Sequence, residues 1–125
     1  MANRNRDKGH RYERYWAKLW RDEIGFDKCI TSRQGSRITD DSGIDLINIP
    51  MNMQLKAGYP KGINYPQLFQ EIEENLEKNF MENDPIKDYP TVVAHKKGRK
   101  KSEHLIVMKA EDFIELIKEV YGEAK

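Results

Sequence analysis

Residues 43–56, GIDLINIPMNMQLK, decide how this chain is read. Asp45 leads into a short apolar run, Leu46 to Ile49. Pro50 and Asn52 mark a turn, and a second run ends in Gln54, Leu55 and Lys56. Two adjacent strands, at about 45–49 and 52–57, would hold Asp45, Gln54 and Lys56 close together. Strand alternation puts Gln54 and Lys56 on one face and Leu55 on the other. A carboxylate, a neutral oxygen donor and an amine on one sheet edge can bind a divalent cation and activate a water.

Upstream, residues 33–42, RQGSRITDDS, read as a polar surface loop of mixed charge. Before it, 26–34 reads as a first strand centred on Cys29, Ile30 and Thr31. An amphipathic helix precedes that strand. Tyr12, Tyr15, Trp16, Leu19, Trp20 and Ile24 recur at three- and four-residue steps, with Asp7 as N-cap and Gly25 as stop. Glu13 stands at the margin of this stripe, where a carboxylate can face the sheet. Residues 1–6 are expected to be frayed.

Downstream, the glycines and proline of 57–65 form a turn-rich connection. A second helix is expected over 66–81, with Leu68, Phe69, Ile72, Leu76 and Phe80 inward and an acidic outer face. A loop at 83–89 leads to a strand at 90–95. The basic turn HKKGRKK, 95–101, and a strand at 105–108 complete a hairpin. A last helix spans 110–121, with Phe113, Ile114, Ile117 and Val120 expected inward and Gly122 as its stop. The element order is α, three strands, α, two strands, α: an α/β sandwich with a mixed central sheet.

The length of 125 residues sets one domain, 1–125, and 38% hydrophobic with 34% charged residues suits a modest core under a charged surface. The formal net charge of +1 conceals a basic first helix and an acidic second one. Cys29 is the only cysteine, which leaves no internal disulfide and no cysteine-rich zinc site, and reads as a small buried residue. No apolar run reaches the roughly 20 residues of a membrane span. The polar, basic start has no hydrophobic signal region, so a cytoplasmic location is expected. No glycine-rich phosphate loop or Ser-His-Asp pattern competes with the carboxylate site, and His10, His95 and His104 are scattered.

KGHRYERYWAKLW, then GF, TSRQGS, GIDLI and QLK, together resemble the archaeal-type Holliday-junction resolvases. More broadly the chain is similar to the PD-(D/E)xK restriction-endonuclease-like superfamily. The resemblance covers residues 8–56 at the level of motifs and the remainder only by element order. It implies a restriction-endonuclease-like αβββαββα core and a Mg2+-dependent endonuclease, with Mn2+ able to substitute. It further implies a homodimer that nicks four-way DNA junctions symmetrically. By the same resemblance the helix glutamate is Glu13, the metal-binding aspartate Asp45 and the catalytic lysine Lys56. The loop serine is Ser36 or Ser32, with Gly35-Ser36 the closer match. The expected metal ligands are Glu13, Asp45, Gln54 and the backbone carbonyl of Leu55. Gln54 stands where the pattern has an acid, and a neutral amide binds a cation more weakly than a carboxylate. Asp40 or Asp41 could compensate if the loop folds inwards. A virus-encoded enzyme that clears branched DNA would suit so small a chain, with the host cytoplasm as its location.

DNA contacts are expected from Arg4, Arg6, Lys8, Arg11 and Arg14 on the first helix, and from Arg33 and Arg37 in the loop. The tip residues Lys96, Lys97, Arg99, Lys100 and Lys101 are further candidates. Nothing suggests a base-reading element, so DNA shape is the expected signal. Two alternatives stay open. One is a nuclease of this fold acting on flaps, nicks or duplex DNA, and the other is a DNA-binding protein that has lost the chemistry.

Overall fold

The computed structural model describes residues 4–58, 60–96 and 100–122, without the side chains of residues 4 and 5. The described chain is mixed α/β. Helix α1, Arg4–Leu19, begins ahead of Asp7, which sits in the first turn beside the helix's positive end and is not its N-cap. A π-helical turn, Trp20–Ile24, ends at Gly25 with φ +98°. There the amide N–H groups of Gly25 and Phe26 both donate to the Trp20 carbonyl, a left-handed closure that glycine adopts without strain.

The first strand is shorter than its sequence suggests. Strand β1 is only Ile30–Thr31, and helix α2, Ser32–Gly35, follows at once. Ser32 explains the break. Its N–H donates to the Asp45 carbonyl and its hydroxyl to the Ile44 carbonyl, at 2.8 and 2.6 Å. The Ser36 N–H then donates back to Ser32 O at 2.7 Å and closes a helical turn. The expected loop at 33–42 is also helical: α3 is Arg37–Asp41. Ser36 caps it, accepting from the Thr39 N–H.

Strand β2, Leu46–Ile47, pairs antiparallel with β1. Strand β3, Asn52–Lys56, pairs parallel with β4, Thr91–Lys96, and β4 pairs antiparallel with β5, His104–Met108. The strands therefore form two sheets, ordered β1-β2 and β3-β4-β5. The Asp45 N–H donates to the Met53 carbonyl at 2.8 Å and ties one to the other.

One core lies between α1 and the sheets: Tyr12, Ala17, Trp20, Cys29, Leu46, Met53, Leu55, Val92 and Ala94 are buried together. Cys29 belongs to it as expected, and burial pushes its thiol up to about 11. A second, smaller core forms under helix α4, Tyr65–Asn79, where Ile72 and Leu76 pack with Ile44. Asn64 caps α4 and Pro66 occupies its first turn.

Helix α5, Ala110–Tyr121, forms where the periodicity places it but faces the other way. Phe113, Ile114, Ile117 and Val120, expected inward, are exposed. The helix is held instead by Lys109 paired with Glu73, and by the Asp112 carboxylate on the Thr91 N–H. Among the described residues no helix is long and apolar enough to cross a membrane.

Candidate functional site

Strand geometry builds the site. Within one strand a residue's N–H and C=O point to the same edge, and the edge alternates along the chain. The Asn52 N–H bonds Pro90, so Asn52, Gln54 and Lys56 turn their backbone to β4. Met53 and Leu55 turn theirs to the opposite edge, where Asp45 lies. The Leu55 N–H donates to Asp45 Oδ2 at 2.7 Å. By the same alternation the Leu55 carbonyl faces the Asp45 edge, as its expected ligand role requires.

Burial raises the Asp45 carboxyl to about 7, against the lowering by the Leu55 N–H. The charges of Glu13 and Asp40 push in the same direction as burial, and that of Lys56 opposes it. Glu13, Asp40 and Lys56 are thus each close enough to act on Asp45. Asp40 Oδ1 lies 3.3 Å from the Ser32 hydroxyl, whose proton goes to the nearer Ile44 carbonyl. Asp41 instead pairs with Arg37 on the surface.

Glu13 is 8% exposed, on the buried margin of α1. Arg33 caps it: the guanidinium pairs with the Glu13 carboxylate and also donates to His10 Nε2. Sequence patterning cannot show this pair, since it joins two elements 20 residues apart. Gln54 donates its amide N–H to the Gly43 carbonyl at 3.1 Å, while its Oε1 is buried with no hydrogen-bond partner. Gly43 has φ +87°, and a Cβ there would lie 3.2 Å from the Gln54 nitrogen. A glycine is therefore needed on two counts.

Among the described residues no three His, Cys, Asp or Glu side chains form a group that could hold a metal ion. The oxygens that the candidate site offers are the Asp45 carboxylate, the Leu55 carbonyl on the edge that meets Asp45, and the unpartnered Gln54 Oε1, with the Glu13 charge acting on Asp45. Oxygen donors of this kind suit a hard divalent cation.

The two candidate serines separate. Ser32 holds the backbone of Ile44 and Asp45, whereas Ser36 is a helix cap. Lys8 and Lys56 line one hollow of about 400 Å³, with Gly58, Ile63 and His95. Arg11 and Arg14 are exposed on α1, and so are Arg37 and Lys100. Lys101 is drawn to Glu23. The side chain of Arg4, and Lys97 and Arg99 altogether, lie outside the described residues. Two contributors went unread in the sequence: the Arg33–Glu13 pair, and His95, which is paired in register with Lys56. The parallel register of β3 and β4 is the signal that would have found the second.

A scan of family models, a search of curated proteins and a search of solved structures each return no match.

Proposed function

We propose that this chain is a divalent-metal-dependent endonuclease of the PD-(D/E)xK type, acting on branched DNA and on four-way junctions in particular. The observation that carries the reading is the Asp45 edge. One buried carboxylate is anchored by the Leu55 N–H, its titration is affected by both Glu13 and Lys56, and a partnerless Gln54 oxygen lies on the neighbouring strand.

In this reading Asp45, Gln54 and the Leu55 carbonyl would hold Mg2+ or Mn2+, with Glu13 contributing charge. The ion, when bound, polarises a water and neutralises the phosphate. Lys56, at the exposed end of β3, orients the attacking water and stabilises negative charge on the phosphate. Lys8, across the same hollow, holds the DNA backbone. Arg33 keeps Glu13 neutralised in the resting protein and turns to a phosphate when Glu13 serves the site. Ser32 keeps Asp45 in register with Leu55.

A junction resolver must cut two strands, so the active species would be a homodimer. Helix α5 supports this with an exposed stripe of Phe113, Ile114, Ile117, Val120 and Tyr121. Its first turn is acidic, Glu111 and Asp112, and its last turn carries Lys118. Two copies crossing antiparallel through α5 would bury the stripes and set each acidic turn beside the partner's basic one.

The test is Mg2+-dependent cleavage of synthetic four-way junctions, flaps and linear duplex. Preference for the junction is expected, and equal cutting of linear duplex overturns the resolvase reading. Asp45→Asn and Lys56→Ala should each abolish cleavage and leave junction binding intact. Wild-type rates in both would place the chemistry elsewhere.

A further inference from the structure

The mechanism above leaves one buried imidazole unused. His95 is fully buried in β4, directly across the parallel register from Lys56. Both of its ring nitrogens are engaged, and neither partner belongs to the sheet. Nδ1 lies 3.2 Å from the Gly58 carbonyl, and Nε2 lies 2.9 Å from the Tyr65 hydroxyl.

The geometry fixes the protons. A carbonyl oxygen can only accept, so Nδ1 carries the hydrogen and donates to Gly58. Nε2 then holds a lone pair and accepts from the Tyr65 O–H. This is the neutral ring, and burial, which lowers the His95 pKa, favours that form. The Tyr65 ring also stands edge-on to the imidazole, at 5.9 Å between centroids.

The two partners sit at the two ends of one segment. Gly58 is two residues past Lys56, and Tyr65 opens α4. Between them the chain carries Pro60 and Gly62, the latter at φ +67°. Among the described residues of 58–63, the bond to His95 is the only hydrogen bond to the sheet. This segment nevertheless walls the Lys56 side of the site. Gly58 and Ile63 line the hollow shared by Lys8 and Lys56. Gly62 and Ile63 line a second hollow, which Lys56 also lines. A segment with so few bonds of its own would otherwise open readily.

We propose that His95 and Tyr65 form a clasp that holds Gly58 and the start of α4 onto β4 and so positions the wall beside Lys56. Both are positioning residues and neither touches the reacting phosphate. The effect on cleavage rests on the nuclease reading, whereas the clasp itself does not.

The experiment uses the full chain with two substitutions. His95→Leu keeps the bulk and removes both bonds, and Tyr65→Phe removes one hydroxyl and leaves the ring. Amide hydrogen exchange is followed across 57–64 and across β3 and β4, alongside single-turnover cleavage and affinity for a four-way junction with Mg2+. Exchange within 57–64 is expected to quicken by about 10-fold or more in His95→Leu and by less in Tyr65→Phe, with β3 and β4 unchanged. The cleavage rate should fall about 10-fold or more at unchanged junction affinity, since small misplacements of a wall are costly to catalysis. Unchanged exchange in both variants overturns the clasp. So does a uniform rise over the whole sheet, which would make His95 an ordinary core residue. If wild-type protein cuts no branched DNA, local exchange still decides the clasp, and the nuclease reading alone is lost.

Discussion

Helices α4 and α5 carry the same kind of apolar stripe and meet opposite fates. In α4, Phe69, Ile72 and Leu76 are at most 5% exposed, and Ile72 and Leu76 pack against Ile44, the residue before Asp45. In α5, Phe113, Ile114, Ile117 and Val120 are 38% to 62% exposed. Helical periodicity reports which face is apolar, and it does not report what covers that face. The difference has a local cause. Helix α4 begins at Tyr65, whose hydroxyl meets His95 of β4, and its stripe meets Ile44 and Gly43 beside Gln54. Helix α5 follows β5 directly and is held on its polar side, by Lys109 and Asp112. Packing and candidate chemistry therefore coincide on the α4 side, and the apolar stripe of α5 is left exposed.

Substitutions on the two sides should separate accordingly. The largest effect is expected at the site that α4 supports. Asp45→Asn should lower Mg2+-dependent cleavage by about 10³-fold or more, measured in single-turnover assays, with junction binding kept. The same change should alter the pH dependence of folding. The Asp45 carboxyl titrates near 7 in the fold and near 3.9 in the unfolded chain, so folding takes up a proton between those values. Metal-free stability should thus fall as pH rises from about 4 to about 7, by at most about 4 kcal/mol, and level off above. Asp45→Asn should flatten that slope in urea titrations, and an unchanged slope would assign it to another group.

Next in size is the direct comparison of stripes. Ile72→Ala should cost about 2–5 kcal/mol in denaturant unfolding. Ile117→Ala, at a dilution where the protein is monomeric, should cost under about 0.5 kcal/mol and weaken self-association in sedimentation. Equal losses would mean that α5 is packed within the monomer, and the contrast would collapse. Gly43→Ala should cost about 1–3 kcal/mol, because its φ of +87° strains any side chain and the added methyl presses on the Gln54 amide. Smallest of all, Lys101→Ala removes an exposed pair with Glu23 and should leave the melting temperature almost unchanged.

Much of the site was legible because it is short-range in sequence. The alternation of Gln54, Leu55 and Lys56, the turn at Pro50, and Asp45 ten residues before Leu55 are properties of one strand-turn-strand unit. The inward placement of Glu13 followed from its position on the α1 stripe. The element types of α1, α4, α5, β3, β4 and β5 followed from periodicity in the same way. The first strand and the loop after it were misread for one reason. The β-branched residues around Ile30 favour a strand, but the Ser32 hydroxyl and N–H capture the carbonyls of Ile44 and Asp45 and end the ladder early. That competition is set by partners 12 and 13 residues away, outside any local pattern.

The sequence by itself determined the apolar faces of the helices and the alternation of Gln54, Leu55 and Lys56 along β3, because these depend on residue spacing within one element. That Asp45 meets the Leu55 edge, opposite the edge that Gln54 and Lys56 turn to β4, was decided between elements. The tertiary structure alone decided that Arg33 closes over Glu13 and that Ser32 rather than Ser36 braces Asp45. It also decided that the two sheets are separate ladders, that His95 meets the Gly58 carbonyl two residues past Lys56, and that the stripe on α5 is exposed. Each of these depends on which distant group arrives at a given donor, acceptor or apolar surface, and long-range contacts are fixed only when the whole chain has folded.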